Sequence, residues 1–397
     1  MFTSELRTDS GFLLLLRLLG GLAGALTIVL AARTLDAGDL SVFVAALAVS
    51  SVANTVINFG TDTWLLRAVA ADAATSAAPV VGVQLRRASI VVGVGVGGLC
   101  MATATGVEWA LDVAPLGVAL YAGVATTTAG AVRRARGEIT STALAGTAGA
   151  AVLLLGAGVS WQADAGLASF VVAATAGQVV AAVMTAWPLR EDSTFGVRST
   201  SEDRRRVAAA ARPLGRTVVS TSVANSVGAV AAAALATATV AAAVSTTQRL
   251  VEAMRMVPAS VHAAWFPRLL HGDPHEDADR TLRGIATLAV AAAAIGVFTA
   301  GPVTELLFPD VDGVAAAWRI GVLSLVPLVV RLERSSRLLA VGFDDAVRRA
   351  ADAAAAVVVV GVVLAGAFDA GAPWFALAHT VGTSVGAAMT VRAWRSV

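Results

Sequence analysis

The chain alternates long apolar runs with short polar breaks. A helix needs about 20 mostly apolar residues to cross a bilayer. Runs of that kind fall at 11–32, 40–59, 88–106, 113–132, 139–159 and 166–187. A polar stretch from Pro188 to about Arg206 follows, containing EDSTFGVRSTSEDRRR. Further runs occupy 209–234, 236–258, 283–304, 314–333, 347–368 and 373–392. The join between 209–234 and 236–258 is an Ala/Val/Thr run without a charged break. It is too long for one span, so it predicts a bent pair of helices. The pattern predicts an all-α polytopic membrane protein of about twelve transmembrane helices. Its expected organisation is an N-terminal six-helix bundle over 1–188, a cytoplasmic linker over 189–206 and a C-terminal six-helix bundle over 207–397. The first apolar run continues to Ala32, longer than a signal-peptide core, and reads as a helix that stays in the membrane.

Composition agrees with this reading. Hydrophobic residues make up 57% of the 397, charged residues 14%, and the mean hydropathy is +0.77. Soluble domains carry about a quarter charged residues. Apolar surface on this scale needs lipid as its solvent. The net charge of +2 gives no sign of a nucleic-acid partner. All 29 basic residues are Arg, which removes any P-loop lysine, Schiff-base lysine or lysine general base. The single cysteine, Cys100, allows neither an intrachain disulfide nor a cysteine metal site. His271 and His275 are four apart, but they sit in the polar run HGDPHEDAD, broken by Pro274. That context favours a solvated loop, and no metal or cofactor is expected.

The placement of charge tests the span count. With a cytoplasmic N-terminus, the outer loops carry Asp36, Asp39, Glu108, Asp112, Asp164, Glu305, Asp310, Asp312 and Asp369. Only Arg33 and Arg319 lie on or near that side. Retention of arginine inside is the positive-inside rule, and a wrong count would scramble it. Both termini are therefore expected in the cytoplasm.

Familiar enzyme motifs are missing. GVGVGG at Gly93–Gly98 has the literal dinucleotide-binding spacing. That motif works only between a strand and a helix, and here it lies mid-span. No HExxH, GxSxG or EF-hand pattern occurs, and no carboxylate pair is placed for acid–base work. The chain is not expected to be an enzyme. Gly20 and Gly24 form a small-xxx-small pair suited to close helix packing.

Several stretches resemble the polysaccharide-export (Wzx-type) lipid-linked oligosaccharide flippases of the MOP superfamily. They are LLRLLGGLAGALTIVLAARTLDAGDLSVFVAAL (15–47), NFGTDTWLLRAVA (58–70), QRLVEAMRMVPASVHAAWFPRL (248–269) and GPVTELLFPDVDGVAAAWRIGVLSLVPLVVRLERSSRLLAVGFDD (301–345). Asp36 and Ser41 replace glycines usual in the first, and Asn58 stands where Asp is common in the second. The resemblance implies two six-helix bundles around a central cavity that opens alternately to either side of the plasma membrane. It also implies a polyprenyl-pyrophosphate-linked glycan as cargo, and a polysaccharide polymerase and glycosyltransferases as partners alongside the lipid bilayer.

Such a cargo carries an anionic diphosphate, which a guanidinium matches bidentately. Arg17, inside the first span, is one candidate, with snorkelling to the interface as the alternative. Arg249 and Arg255 flank Glu252 at three-residue spacing, and Glu252 can neutralise either. Arg331, Arg334 and Arg337 form a slanting stripe. Glu333 reaches Arg337 at i+4, leaving Arg331 and Arg334 less compensated. Anchoring at the interface explains this cluster equally well. Asn54, Asn58, Gln178, Asn225 and Gln248 either line a sugar path or bond neighbouring helices. For coupling, Glu252 and Glu333 are candidates, with His379 the titratable group at depth; transport down the substrate gradient is the other option. A MATE-type multidrug exporter would share the fold, but it implies an acidic cavity where this sequence supplies arginines. The lipid II flippase branch usually adds helices beyond twelve. A non-transporting membrane scaffold is the reading from a different class.

Overall fold

A computed structural model describes residues 5–72, 75–190, 199–269, 278–309 and 311–396. His271, His275 and residues 191–198 of the polar stretch lie outside these.

In lipid a backbone must satisfy its own hydrogen bonds, so each apolar run becomes a helix. The first six runs are α1 (Glu5–Thr34), α2 (Ala37–Asn58), α4 (Ala78–Ala104), α5 (Leu116–Ala135), α6 (Ile139–Gln162) and α7 (Leu167–Ala186). A short helix that hydropathy does not announce, α3 (Thr61–Ala71), follows α2. After the polar stretch come α8 (Ser201–Leu235) and α9 (Ala238–Leu269), so the Ala/Val/Thr run divides at residues 236–237. Then follow α10 (Ala278–Leu307), α11 (Val314–Val322), α12 (Leu325–Ala340), α13 (Asp344–Ala367) and α14 (Ala372–Trp394). No strand occurs among the described residues.

The tenth run is broken in two. Pro327 sits in the first turn of α12. It has no N–H to give the Leu323 carbonyl, and its ring crowds that carbonyl. The helix therefore stops at Val322 and restarts at Leu325.

By length and apolarity, 9 spans among the described residues suffice to cross a membrane, α11 and α12 counting as one. The other long helices, α5, α9 and α14, carry more polar groups, such as Arg133 and Arg134, Arg249 to Arg255, and His379. Large apolar side chains point outward: Phe298 is 82% exposed and Leu155 71%. On α4 the buried residues are only Val80, Val83, Gln84 and Ala88. Nothing lies within 4 Å of the Cβ positions of Gly93, Gly95, Gly97 and Gly98, so the glycine-rich motif is bare mid-helix surface. This is the face of a multi-pass membrane protein, where lipid covers what a soluble protein would bury.

The chain divides into two compact units. The first comprises Met1–Leu35 and Val49–Val219, the second Asp36–Ala48 and Ser220–Val397. Small residues set the helix packing in each. In the first unit, a Cβ on Gly149 of α6 would stand 2.5 Å from the Gly177 carbonyl oxygen of α7. In the second, Gly361 of α13 and Gly382 of α14 bring those helices together, against Ala378 and against Ala354 and Val358. With no hydrophobic drive between helices in lipid, such close approach supplies the dispersion energy.

Candidate functional site

The second unit holds a charged interior built on one face of α8. Thr221, Ala224, Asn225 and Gly228 recur at i, i+3, i+4 and i+7, so they line one side of the helix. Arg331 of α12 donates from Nη2 to the Thr221 hydroxyl at 3.1 Å. Arg255 of α9 donates from Nη1 to Asn225 Oδ1 at 3.3 Å and from Nη2 to Ser324 Oγ at 3.1 Å. The same Nη2 meets His379 Nε2 of α14. His379 Nδ1 lies 3.1 Å from the Ala224 carbonyl, which only accepts. Nδ1 therefore carries the proton and Nε2 accepts from Arg255, which fixes the neutral tautomer. The side chain of Gln248 donates to the Asn225 carbonyl.

The break between α11 and α12 opens at this point. Ser324 donates its hydroxyl to the Gly321 carbonyl at 2.6 Å, and Thr380 donates to the Ile320 carbonyl at 3.1 Å. These bonds satisfy the carbonyl end of the half-helix, which water would have to serve otherwise. A cavity of about 40 Å³ adjoins the cluster, lined among others by Asn225, Gly228, Gln248, Arg255, Phe375 and His379.

The nearby charges matter as much as the contacts. Arg331 is close enough to repel Arg255. Among the described residues no carboxylate lies within ion-pair distance of Arg255 or Arg331. Glu252, one turn before Arg255, is held by Arg249 at 3.0 Å.

The polar centre of the first unit is different. Asn58, Thr61, Gln84 and Thr128 are all buried and all neutral. Gln84 Nε2 donates to Thr61 Oγ1 at 2.8 Å, and Thr128 donates to Gln84 Oε1 at 2.5 Å. Asn58 Oδ1 accepts from Thr61 Oγ1 and from the Asp62 amide, each at 3.0 Å. Arg87 closes the end of α2, donating to the Ile57 and Asn58 carbonyls at 3.2 and 3.1 Å. Gly60 lets the chain turn here: its φ is +76°, and a Cβ would come 2.5 Å from the Gly215 amide of α8.

The sequence-predicted residues sort accordingly. Arg255, Arg331 and His379 come together. Arg249 and Glu252 pair with each other. Arg334 is not left less compensated, as its own helix suggested. Asp279 of α10 reaches it at 2.9 Å, Glu333 stands 3.4 Å away, and its guanidinium lies over the Trp394 ring at 5.7 Å. Spacing along α12 could not reveal partners on α10 and α14. Glu333 is buried between Arg334 and Arg337. Arg17 is half-buried in the first unit and makes no hydrogen bond or ion pair among the described residues; the charge acting on it is the like-signed Arg134. Asn58 serves the helix-bonding role, whereas Gln178 is exposed. Thr221, Ser324 and Thr380 are contributors the sequence reading missed. The signals were present: Thr221 lies one turn before Asn225, and Ser324 lies three residues before Pro327.

This arrangement of helices has known counterparts. The fold is that of the MOP superfamily transporters. An inward-facing multidrug resistance MATE family transporter superposes with a TM-score of 0.75 at 14% identity, over 96% of this chain and 94% of that one. The lipid II flippase MurJ, in an inward closed conformation, also gives 0.75, at 10% identity over 95% and 86%. A MOP superfamily transporter from Pyrococcus furiosus, whose reverse polarity of binding pocket suggests a different function, gives 0.65 at 15% identity over 98% and 95%. No protein-family model and no curated protein sequence matches the chain. The MATE transporter and MurJ superpose on the chain equally well, so the fold does not choose between them.

Proposed function

We propose that the chain translocates a polyprenyl-pyrophosphate-linked oligosaccharide across the plasma membrane by alternating access, for assembly of a cell-surface polysaccharide. The observation that carries this reading is the convergence of Arg255 and Arg331 on one face of α8 with no carboxylate in ion-pair contact with either among the described residues. An unaccompanied charge inside a membrane protein marks a functional site by default. Arginine offers a diphosphate two parallel donors, and taking that diphosphate through hydrocarbon unaided costs several kcal/mol or more. Arg17 and Arg331 are the groups best placed to contact the cargo, since neither is held by an acid. Arg249 and Arg334 spend their charge on acidic partners first.

A cationic drug would call for interior acids, yet Glu333 is the one buried carboxylate among the described residues, and two arginines hold it. In this reading residues 1–188 and 207–397 are the two bundles that rock about the linker at 189–206, with both termini cytoplasmic. Glycosyltransferases and a polymerase would supply and consume the cargo. His379, or Glu252 or Glu333, would sense a driving ion.

Deleting the gene tests the proposal. Polyprenyl-linked oligosaccharide should build up on the cytoplasmic leaflet, and proteoliposomes holding the purified chain should expose such a lipid to an external glycosidase. Normal export with no intermediate, together with efflux of cationic dyes, would defeat it. Arg17→Ala should impair transport at unchanged protein level; undiminished transport would return Arg17 to snorkelling.

A further inference from the structure

We infer that the cavity beside Arg255 is a site for a monatomic anion, chloride under cellular conditions. The partners of Arg255 are an amide oxygen, a hydroxyl and a neutral imidazole. They satisfy donors but cancel no charge. Its Nε is buried and without a partner. The second guanidinium, Arg331, adds like charge from α12. Glu252, the acid acting on Arg255, is already held by Arg249. Burying positive charge this way is costly unless a counter-charge enters.

The cavity is where it can enter. About 40 Å³ holds two or three water-sized occupants. That suits a halide ion. Arg255 is the charged group of the lining, and no carboxylate among the described residues lines the cavity. Arg331 is not among its lining residues, so it stays available to the larger cargo. The resident anion would hold α8, α9 and α14 together through Arg255 and His379, because its charge offsets the repulsion among Arg255, Arg331 and their neighbours. This inference stands on the cavity and does not require the cargo proposed above.

The test uses the full chain in lipid nanodiscs. Thermal unfolding is followed by loss of helix signal in sodium gluconate, chloride, bromide or phosphate at equal ionic strength. Chloride and bromide should raise Tm saturably by several degrees over gluconate, as expected for a ligand bound only by the folded state. Phosphate should not. Arg255→Gln should lose the increment. Gly228→Val should lose it too: a Cβ there meets only Gln248 Oε1 at 3.8 Å, so the added side chain has the cavity to occupy. Should Arg255→Gln fail to fold, Gly228→Val decides alone. A crystal grown in bromide should show an anomalous peak beside Arg255. Equal Tm in chloride and gluconate, an increment that survives the cavity-filling variant, or phosphate replacing chloride would each overturn the inference. A halide response without lipid transport would leave the site standing and remove the flippase.

Discussion

The two units solve the problem of a polar interior in opposite ways. The first closes its polar cluster around Asn58, with Arg17 standing apart from it. Asn58, Thr61, Gln84 and Thr128 are neutral, and each finds its hydrogen bonds among the others or in the backbone. The second leaves its own open. Arg255 and Arg331 carry full charge and bond only neutral partners, and Arg255 borders a cavity. A satisfied neutral network rigidifies a fold. An unsatisfied charged one costs stability and is kept where it acts on something. The difference teaches that polarity inside a membrane protein does not by itself mark a site; uncompensated charge does.

The strongest way to break the comparison lies within the second unit itself, because it also holds charges that are compensated. Glu333 is 1% exposed and sits between Arg334 and Arg337. Glu333→Gln keeps the shape and removes the counter-charge from both. Breaking a buried pair on one side costs about 3–5 kcal/mol. Thermal unfolding should therefore drop steeply and expression should fall. A variant as stable as the parent would mean that these arginines never depended on Glu333, and compensation would cease to separate structural from functional charge.

Next comes the closed network. Gln84→Leu leaves the buried Thr128 hydroxyl without its acceptor and takes from Thr61 the donor that Gln84 supplies, while Thr61 keeps its bonds to Asn58. Stranding such groups costs about 1–3 kcal/mol. Tm should fall moderately while transport by the remaining folded protein persists. Loss of transport at parental stability would move this neutral cluster from the structural to the functional side.

How far the sequence revealed this contrast depends on the range of the signal. The helices were legible because an apolar run of span length in lipid has one backbone solution. Even the join at residues 236–237 followed from length alone. The helix α3 was not, since eleven residues carrying Asp62 and Arg67 are too short and too polar to stand out. The break at Leu323–Ser324 was written in Pro327 and passed unnoticed because the hydropathy of the run is continuous. Among charges, the Arg337–Glu333 pairing could be read at i+4, whereas Asp279 meeting Arg334 could not, because its partner lies 55 residues away. The meeting of Arg255 with His379 spans 124 residues and left no local trace.

Arg331→Gln sharpens the comparison from the other side. Its one hydrogen bond among the described residues goes to Thr221, and the charge it removes repels Arg255. Stability should change by about 0.5 kcal/mol or less, or rise. Transport should fall about tenfold or more, since a hydrogen bond to a charged group contributes about 1.5–3 kcal/mol. Unfolding and lipid translocation measured on the same preparation separate these effects. Equal losses in both would make Arg331 an ordinary packing residue.

The smallest effect is expected at Arg249, which decides where the open region ends. Arg249 and Glu252 form an i, i+3 pair at 3.0 Å, with side chains 27% and 46% exposed. A pair in that setting contributes about 0.3–0.5 kcal/mol, most of it screened. Arg249→Gln should leave Tm almost unmoved. It should also free Glu252, whose field already reaches Arg255. If Arg249 only neutralises Glu252, the freed carboxylate draws on Arg255 and lowers affinity for an anion there, while translocation drops only slightly. If Arg249 itself holds cargo, translocation falls sharply and Arg249→Lys restores part of it, since a lysine retains the charge without the two-pronged geometry. Titrating chloride against Arg249→Gln and Arg249→Gln/Glu252→Gln separates the two cases, because only a liberated carboxylate makes the single variant weaker than the double.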